Sequence, residues 1–70
     1  MVSDITFGEN LKRLRKRAKL TQNDVAEALN ISRQSVSKWE KDIALPQISF
    51  IIPLTKILNC TLEELLGSLK

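Results

Sequence analysis

The chain has 70 residues, with 11 Lys and Arg against 8 Asp and Glu, no His, one Cys and a formal net charge of +3. That length allows one domain around one small core and leaves no room for a second site. A single Cys excludes an intramolecular disulfide, one Cys without His supplies no zinc-ligand set, and no apolar run reaches membrane-spanning length or reads as a signal segment. The expectation is a cytoplasmic protein with no metal, no cofactor and no membrane partner. The basic charge is concentrated in Lys12, Arg13, Arg15, Lys16, Arg17 and Lys19, an asymmetry that favours a polyanionic partner.

The first predicted helix covers residues 7–19. Thr6 and Glu9 are spaced as a capping box, Phe7, Leu11, Leu14 and Ala18 recur at helical spacing on one face, and Leu20 closes the turn. The opposite face is Lys12, Arg13, Lys16, Arg17 and Lys19, for which solvation is the default. The second helix covers 21–29. Thr21 caps its free N–H groups, and Asp24 reciprocates from the N3 position, where the helix dipole favours an acid. Val25, Ala26 and Leu29 face inward, Ala26 being small where another helix crosses closely, and Asn30 tolerates the left-handed backbone that ends a helix.

The third helix covers 32–40 and follows after a tight turn, so the pair reads as a helix-turn-helix. Ser32 caps it, Ile31 staples against Val36, and Val36 with Trp39 forms the buried edge. Arg33, Gln34, Ser35, Ser37 and Lys38 are left facing outward. A fourth helix, 49–58, carries the apolar stripe Ile48, Ile51, Leu54, Ile57 and Leu58 behind a loop marked by Pro46. Pro53 sets its start near Ser49, because a proline deep in a helix costs about 3 kcal/mol and one in the first turn costs little. The fifth helix, 61–66, opens with the capping box Thr61 and Glu64, carries Leu62, Leu65 and Leu66, and ends at Gly67 before a loose tail, Ser68 to Lys70. Asp4, Glu9, Asp24, Glu63 and Glu64 all fall at or near helix starts. Cys60 reads as a small apolar residue with no neighbouring cation to activate it. No repeat, linker or low-complexity run divides the chain, so residues 1–70 read as one domain.

The outward residues of the third helix suit DNA. Arg forks onto the two acceptors of guanine, Gln pairs bidentately with adenine, Ser adapts to either, and an α-helix fits the major groove. A polar outer face alone is ordinary. Here the caps, the short turn and the adjoining basic helix shift the balance towards recognition.

The combination of LKRLRKRAKL (Leu11 to Leu20), TQNDVAEALNISRQSVSKWEK (Thr21 to Lys41) and LPQISFIIPLTKILNCTLEELL (Leu45 to Leu66) resembles the Xre or Cro-like transcriptional regulators. Their fold is the five-helix, all-α lambda-repressor-like domain, and the resemblance covers nearly the whole chain. It implies sequence-specific binding of double-stranded DNA by a transcriptional regulator, with the third helix in the major groove. It also implies that Gln22 holds a phosphate and that Ser32, Arg33, Gln34 and Lys38 occupy recognition positions. The candidate DNA-contacting set is therefore Thr21, Gln22, Ser32, Arg33, Gln34, Ser35 and Lys38. Arg15 and Glu40 match a family ion pair that bridges the first helix to the end of the third, and Arg17 and Lys19 are secondary phosphate candidates. One departure stands out, since Glu40-Lys41-Asp42 replaces the usual Glu-x-Gly; Asp visits the left-handed region at modest cost, so the turn is expected to survive.

One such module reads only a few base pairs, so a homodimer on a two-fold axis is expected, with half-sites about one helical turn apart. Ile43, Leu62, Leu66 and Leu69 are candidates for its surface, with core packing as the competing role for each Leu. Repression is the simplest outcome for a chain this short, which carries no ligand-binding or activation domain. The alternative class is a small helical protein-interaction module, such as an antitoxin-like or anti-repressor partner. Such a module would more often expose Leu, Met or aromatic anchors on the third helix, where this chain exposes Arg, Gln, Ser and Lys. No nucleophile–base pair is visible, so an enzyme is not expected.

Overall fold

The computed structural model describes residues 5–67, in which α1 (Phe7–Arg17), α2 (Gln22–Leu29), α3 (Arg33–Glu40), α4 (Ile51–Ile57) and α5 (Leu62–Leu66) follow in order. A 3₁₀ turn, Ile48–Phe50, leads into α4. The fold is all-α, and α2, the tight turn and α3 form a helix-turn-helix. Expectations for Asp4, for Leu69 and for the tail Ser68 to Lys70 lie outside the described residues.

Local chemistry places the helix ends. Thr6 with Glu9, Thr21 with Asp24, and Thr61 with Glu64 form complete capping boxes, each hydroxyl accepting an N3 N–H and each acid accepting the N–H of its threonine. Ser32 caps α3 by accepting the Ser35 N–H at 3.3 Å. The first four helices end in a left-handed residue, at Lys19, Asn30, Asp42 and Asn59, and none of these is glycine. In each case the following N–H reaches back across the last turn, as Leu20 to Arg15, Ile31 to Ala26, Ile43 to Lys38 and Cys60 to Thr55. This is the Schellman arrangement, and it occupies carbonyls that the helix end leaves unpaired.

The core is Phe7, Leu11, Leu14, Val25, Ala26, Val36, Trp39, Leu54, Leu58 and Leu65, drawn from α1, α2, α3 and α5 and from α4 with its terminal residue Leu58. The Trp39 and Phe50 rings add a tilted contact at 5.6 Å between centroids. Gly8 is buried because the first turn of α1 lies directly on the end of α3. A Cβ at Gly8 would stand 2.5 Å from the carbonyl oxygens of Trp39 and Glu40, so only glycine fits this approach. Asn10 is buried too, its amide donating to the Glu64 and Leu65 carbonyls at 2.8 and 3.1 Å and so tying α1 to the end of α5.

Several expectations need correction. The regular part of α4 begins at Ile51 rather than Ser49, with Pro53 in its first turn. The 3₁₀ turn before it advances three residues per turn, which swings Ile48 off the stripe and leaves it 88% exposed. Ile51 and Ile57 are half-buried, whereas Leu54 and Leu58 carry the contact. Ala18 is only half-buried because α1 has already ended at Arg17. Gly67 has φ −56°, so it does not use the left-handed freedom expected of a terminating glycine.

Candidate nucleic-acid interface

The site is built outward from a buried ion pair. Arg15 Nε donates to Glu40 Oε2 at 2.6 Å and Arg15 Nη2 to Glu40 Oε1 at 3.1 Å, a two-pronged pairing between α1 and the last residue of α3. A third donor, Nη1, reaches the Leu20 carbonyl at 2.8 Å, which anchors the turn between α1 and α2. The side chains are only 10% and 3% exposed. The pair implied by the family resemblance therefore fixes α3 against α1 and against the start of α2.

Gln22 extends this network to the surface. Its Nε2 donates to Glu40 Oε1 at 3.0 Å, and its Oε1 accepts from Arg33 Nη1 at 3.3 Å. With one end held by a buried carboxylate, the amide presents its oxygen to Arg33, the first residue of α3. The family resemblance implies a phosphate contact for Gln22; its geometry adds a link between the ion pair and α3.

The seven candidates divide into three kinds. Arg33, Gln34 and Lys38 are exposed and line one open groove of about 370 Å³ together with Ser37, Lys41 and Ile43. Thr21, Ser32 and Ser35 sit at helix starts with their hydroxyls engaged locally: Thr21 Oγ1 accepts the Asp24 N–H at 3.0 Å, and the Ser32 and Ser35 hydroxyls lie 3.2 Å apart. Gln22 is half-buried and bonded at both ends of its amide. Lys41 and Ile43 were not foreseen in the groove, because they read as loop. The signal that could have found them is the left-handed Asp42, which folds the chain back so that the Ile43 and Ala44 N–H groups both meet the Lys38 carbonyl, at 2.9 and 3.4 Å.

Charge is set locally. The Thr21 backbone N–H, with the Thr21 hydroxyl, lowers the Asp24 carboxyl below its ordinary value, so the start of α2 keeps a fixed negative group. Arg17 reaches α5, its Nη1 donating to Glu64 Oε2 at 2.9 Å. That pairing, followed by the Thr61 backbone N–H, holds Glu64 down at about 2. Cys60 is half-buried, and burial pushes its thiol up, the direction that suppresses reactivity. No helix among the described residues is long and apolar enough to cross a membrane.

Comparison with known proteins agrees with this architecture. The sequence profile of the Helix-turn-helix family matches residues 11–65. The HTH-type transcriptional regulator DicA of Escherichia coli (strain K12) is 40% identical over 58 residues, which are 83% of this chain and 43% of DicA. The HTH-type transcriptional activator BcrR of Enterococcus faecalis is 38% identical over 61 residues, 87% of this chain and 30% of BcrR. The chain thus spans less than half the length of either relative. The P22 c2 repressor protein, solved in complex with a synthetic operator, matches with a TM-score of 0.82 at 26% identity, covering 91% of this chain and 97% of that one. From the fold and these matches, the chain belongs to the helix-turn-helix family and, within it, to the Xre and lambda-repressor-like type.

Proposed function

We propose that this protein is a transcriptional regulator that binds double-stranded DNA, with α3 in the major groove. The observation that carries the reading is the open polar groove lined by Arg33, Gln34, Ser37, Lys38, Lys41 and Ile43, on α3 and the turn after it, with α3 braced by a buried ion pair. Arg and Gln there supply bidentate base readers, and Lys38 and Lys41 supply phosphate charge. Gln22 serves two ends in this reading. An amide nitrogen carries two hydrogens, so one remains for a phosphate oxygen after the other has gone to Glu40, while the oxygen orients Arg33. Thr21, Ser32 and Ser35 frame the same edge through the starts of α2 and α3.

Two copies on a two-fold axis give a useful site size. The apolar groove lined by Pro46, Ile48, Ile51, Ile52, Leu62 and Leu66 is the surface open to such pairing, and it shares no lining residue with the polar groove. Regulation follows from occupancy of a promoter in the cytoplasm, with repression as its simplest form. The operator-bound P22 c2 repressor and the regulatory names of the relatives support this reading. Selection of bound sites from a random duplex pool tests it directly. The expected result is an enriched two-fold symmetric sequence whose affinity falls steeply with salt, and failure to enrich any sequence would overturn the proposal.

A further inference from the structure

In three of the four Schellman turns the residue after the left-handed position folds back: Leu20, Ile31 and Cys60 pack against the core. A hydrophobic contact of that kind commonly accompanies the motif. The fourth turn breaks the pattern. Ile43 occupies the same position after Asp42 yet is 67% exposed, and it lines the groove otherwise made by Arg33, Gln34, Ser37, Lys38 and Lys41. It is the one apolar side chain in that lining.

Its position is fixed. The Ile43 N–H donates to the Lys38 carbonyl at 2.9 Å, and the preceding Asp42 is anchored by the Gly8 N–H on its Oδ1, also at 2.9 Å. An exposed isoleucine held in this way meets whatever the recognition helix meets. The structure also separates Ile43 from Leu62 and Leu66, with which it had been grouped as a dimer contact, since those two line the other groove.

The major groove presents one apolar feature, the 5-methyl group of thymine. We propose that Ile43 is a specificity-determining residue that packs on a thymine methyl beside the bases read by α3. This rests on the DNA-binding reading and adds a base preference to it. Hydrogen-bonding side chains read edges of opposite polarity, while the isoleucine favours T where neither an amide nor a guanidinium would.

Uracil lacks only that methyl. In duplexes carrying the selected site, each thymine is replaced singly by uracil, and the affinities of the parent and of Ile43→Ala are compared. One thymine per half-site should weaken the parent by about fourfold when replaced, the value of one buried methyl-sized group. Ile43→Ala should bind the thymine and uracil duplexes equally. A parent indifferent to every replacement, or a variant that retains the full uracil penalty, overturns the inference while leaving DNA binding intact. Equal weakening of Ile43→Ala on all sequences, with the uracil penalty unchanged, assigns Ile43 to pairing of subunits and overturns it too. If the parent enriches no sequence from the pool, the DNA-binding reading falls, and this inference with it.

Discussion

Asp42 accepts the backbone N–H of Gly8 on its Oδ1 at 2.9 Å, joining the loop after α3 to the first turn of α1. One residue thus performs two tasks, since Asp42 also adopts φ 62°, a left-handed backbone that glycine takes at least cost. The carboxylate replaces a partner that the helix start lacks and places negative charge at the positive end of the dipole.

The two tasks can be separated by substitution. Asp42→Gly keeps the turn and loses the cap, a change of roughly 1 kcal/mol partly offset by relief of the left-handed backbone. Asp42→Ala loses both and should be destabilised by roughly 2 to 3 kcal/mol, while Asp42→Asn retains both and stays near the parent. Urea unfolding ranks the three, and an alanine variant no weaker than the glycine variant would show that the left-handed turn carries no strain.

The Arg15–Glu40 pair should show strong coupling. Removing Glu40 leaves a guanidinium that is 10% exposed without its charge partner, a change that costs roughly 3 to 5 kcal/mol. Removing Arg15 as well should add little. A double-mutant cycle of unfolding free energies with Glu40→Ala and Arg15→Ala measures this, and a coupling near zero would mean that the side chains are independently solvated.

Most of the fold was legible because its signals are short-range. Thr6, Thr21, Ser32 and Thr61 each sit where the structure has a helix cap, since a hydroxyl followed three residues later by an acceptor or N–H is a local arrangement. Less legible was whatever depends on two distant segments meeting. Nothing local marks Gly8 as the point where α3 comes within touching distance, or Asn10 as the partner of the Glu64 and Leu65 carbonyls. The Arg15–Glu40 meeting came from family resemblance, not from spacing. Ile48 misled because its apolar character fitted a helical stripe that a 3₁₀ turn interrupts. In the site, the outward face of α3 followed from periodicity, whereas the inward turn of Gln22 follows from a buried carboxylate eighteen residues away in sequence.

Recognition should separate into reading and positioning. Arg33→Ala and Gln34→Ala should each reduce discrimination between the selected site and random DNA by roughly 1 to 3 kcal/mol without unfolding the protein. Gln22→Ala should lower affinity for all sequences by loss of a phosphate donor, and it should also blunt preference at the base read by Arg33, whose Nη1 loses its acceptor. Competition binding across single-base variants of the selected site checks this. A Gln22→Ala profile parallel to the parent at every base would remove the positioning role and leave only the phosphate contact.

Acid should weaken the α1–α5 connection through Glu64, leaving the Asn10 amide bonds to the Glu64 and Leu65 carbonyls in place. Its carboxyl lies at about 2 against an ordinary 4.5, first because Arg17 bonds it and next because the Thr61 N–H does. A carboxyl lowered by folding contributes stability that is fully present above its unfolded value and is lost as pH falls towards its folded one. The window here therefore runs from about pH 4.5 down to about 2. The group is open to solvent, so salt should screen the Arg17 part, while the capping bond to Thr61 is local and persists. Melting temperatures measured from pH 6 to 2 should fall less steeply for Glu64→Gln than for the parent within that window and run parallel to it above. Arg17→Ala should remove the salt-sensitive part of the difference and leave the remainder. Identical acid profiles for parent and Glu64→Gln would place the acid sensitivity elsewhere among the capping carboxylates, with Asp24, lowered by Thr21, the next to test.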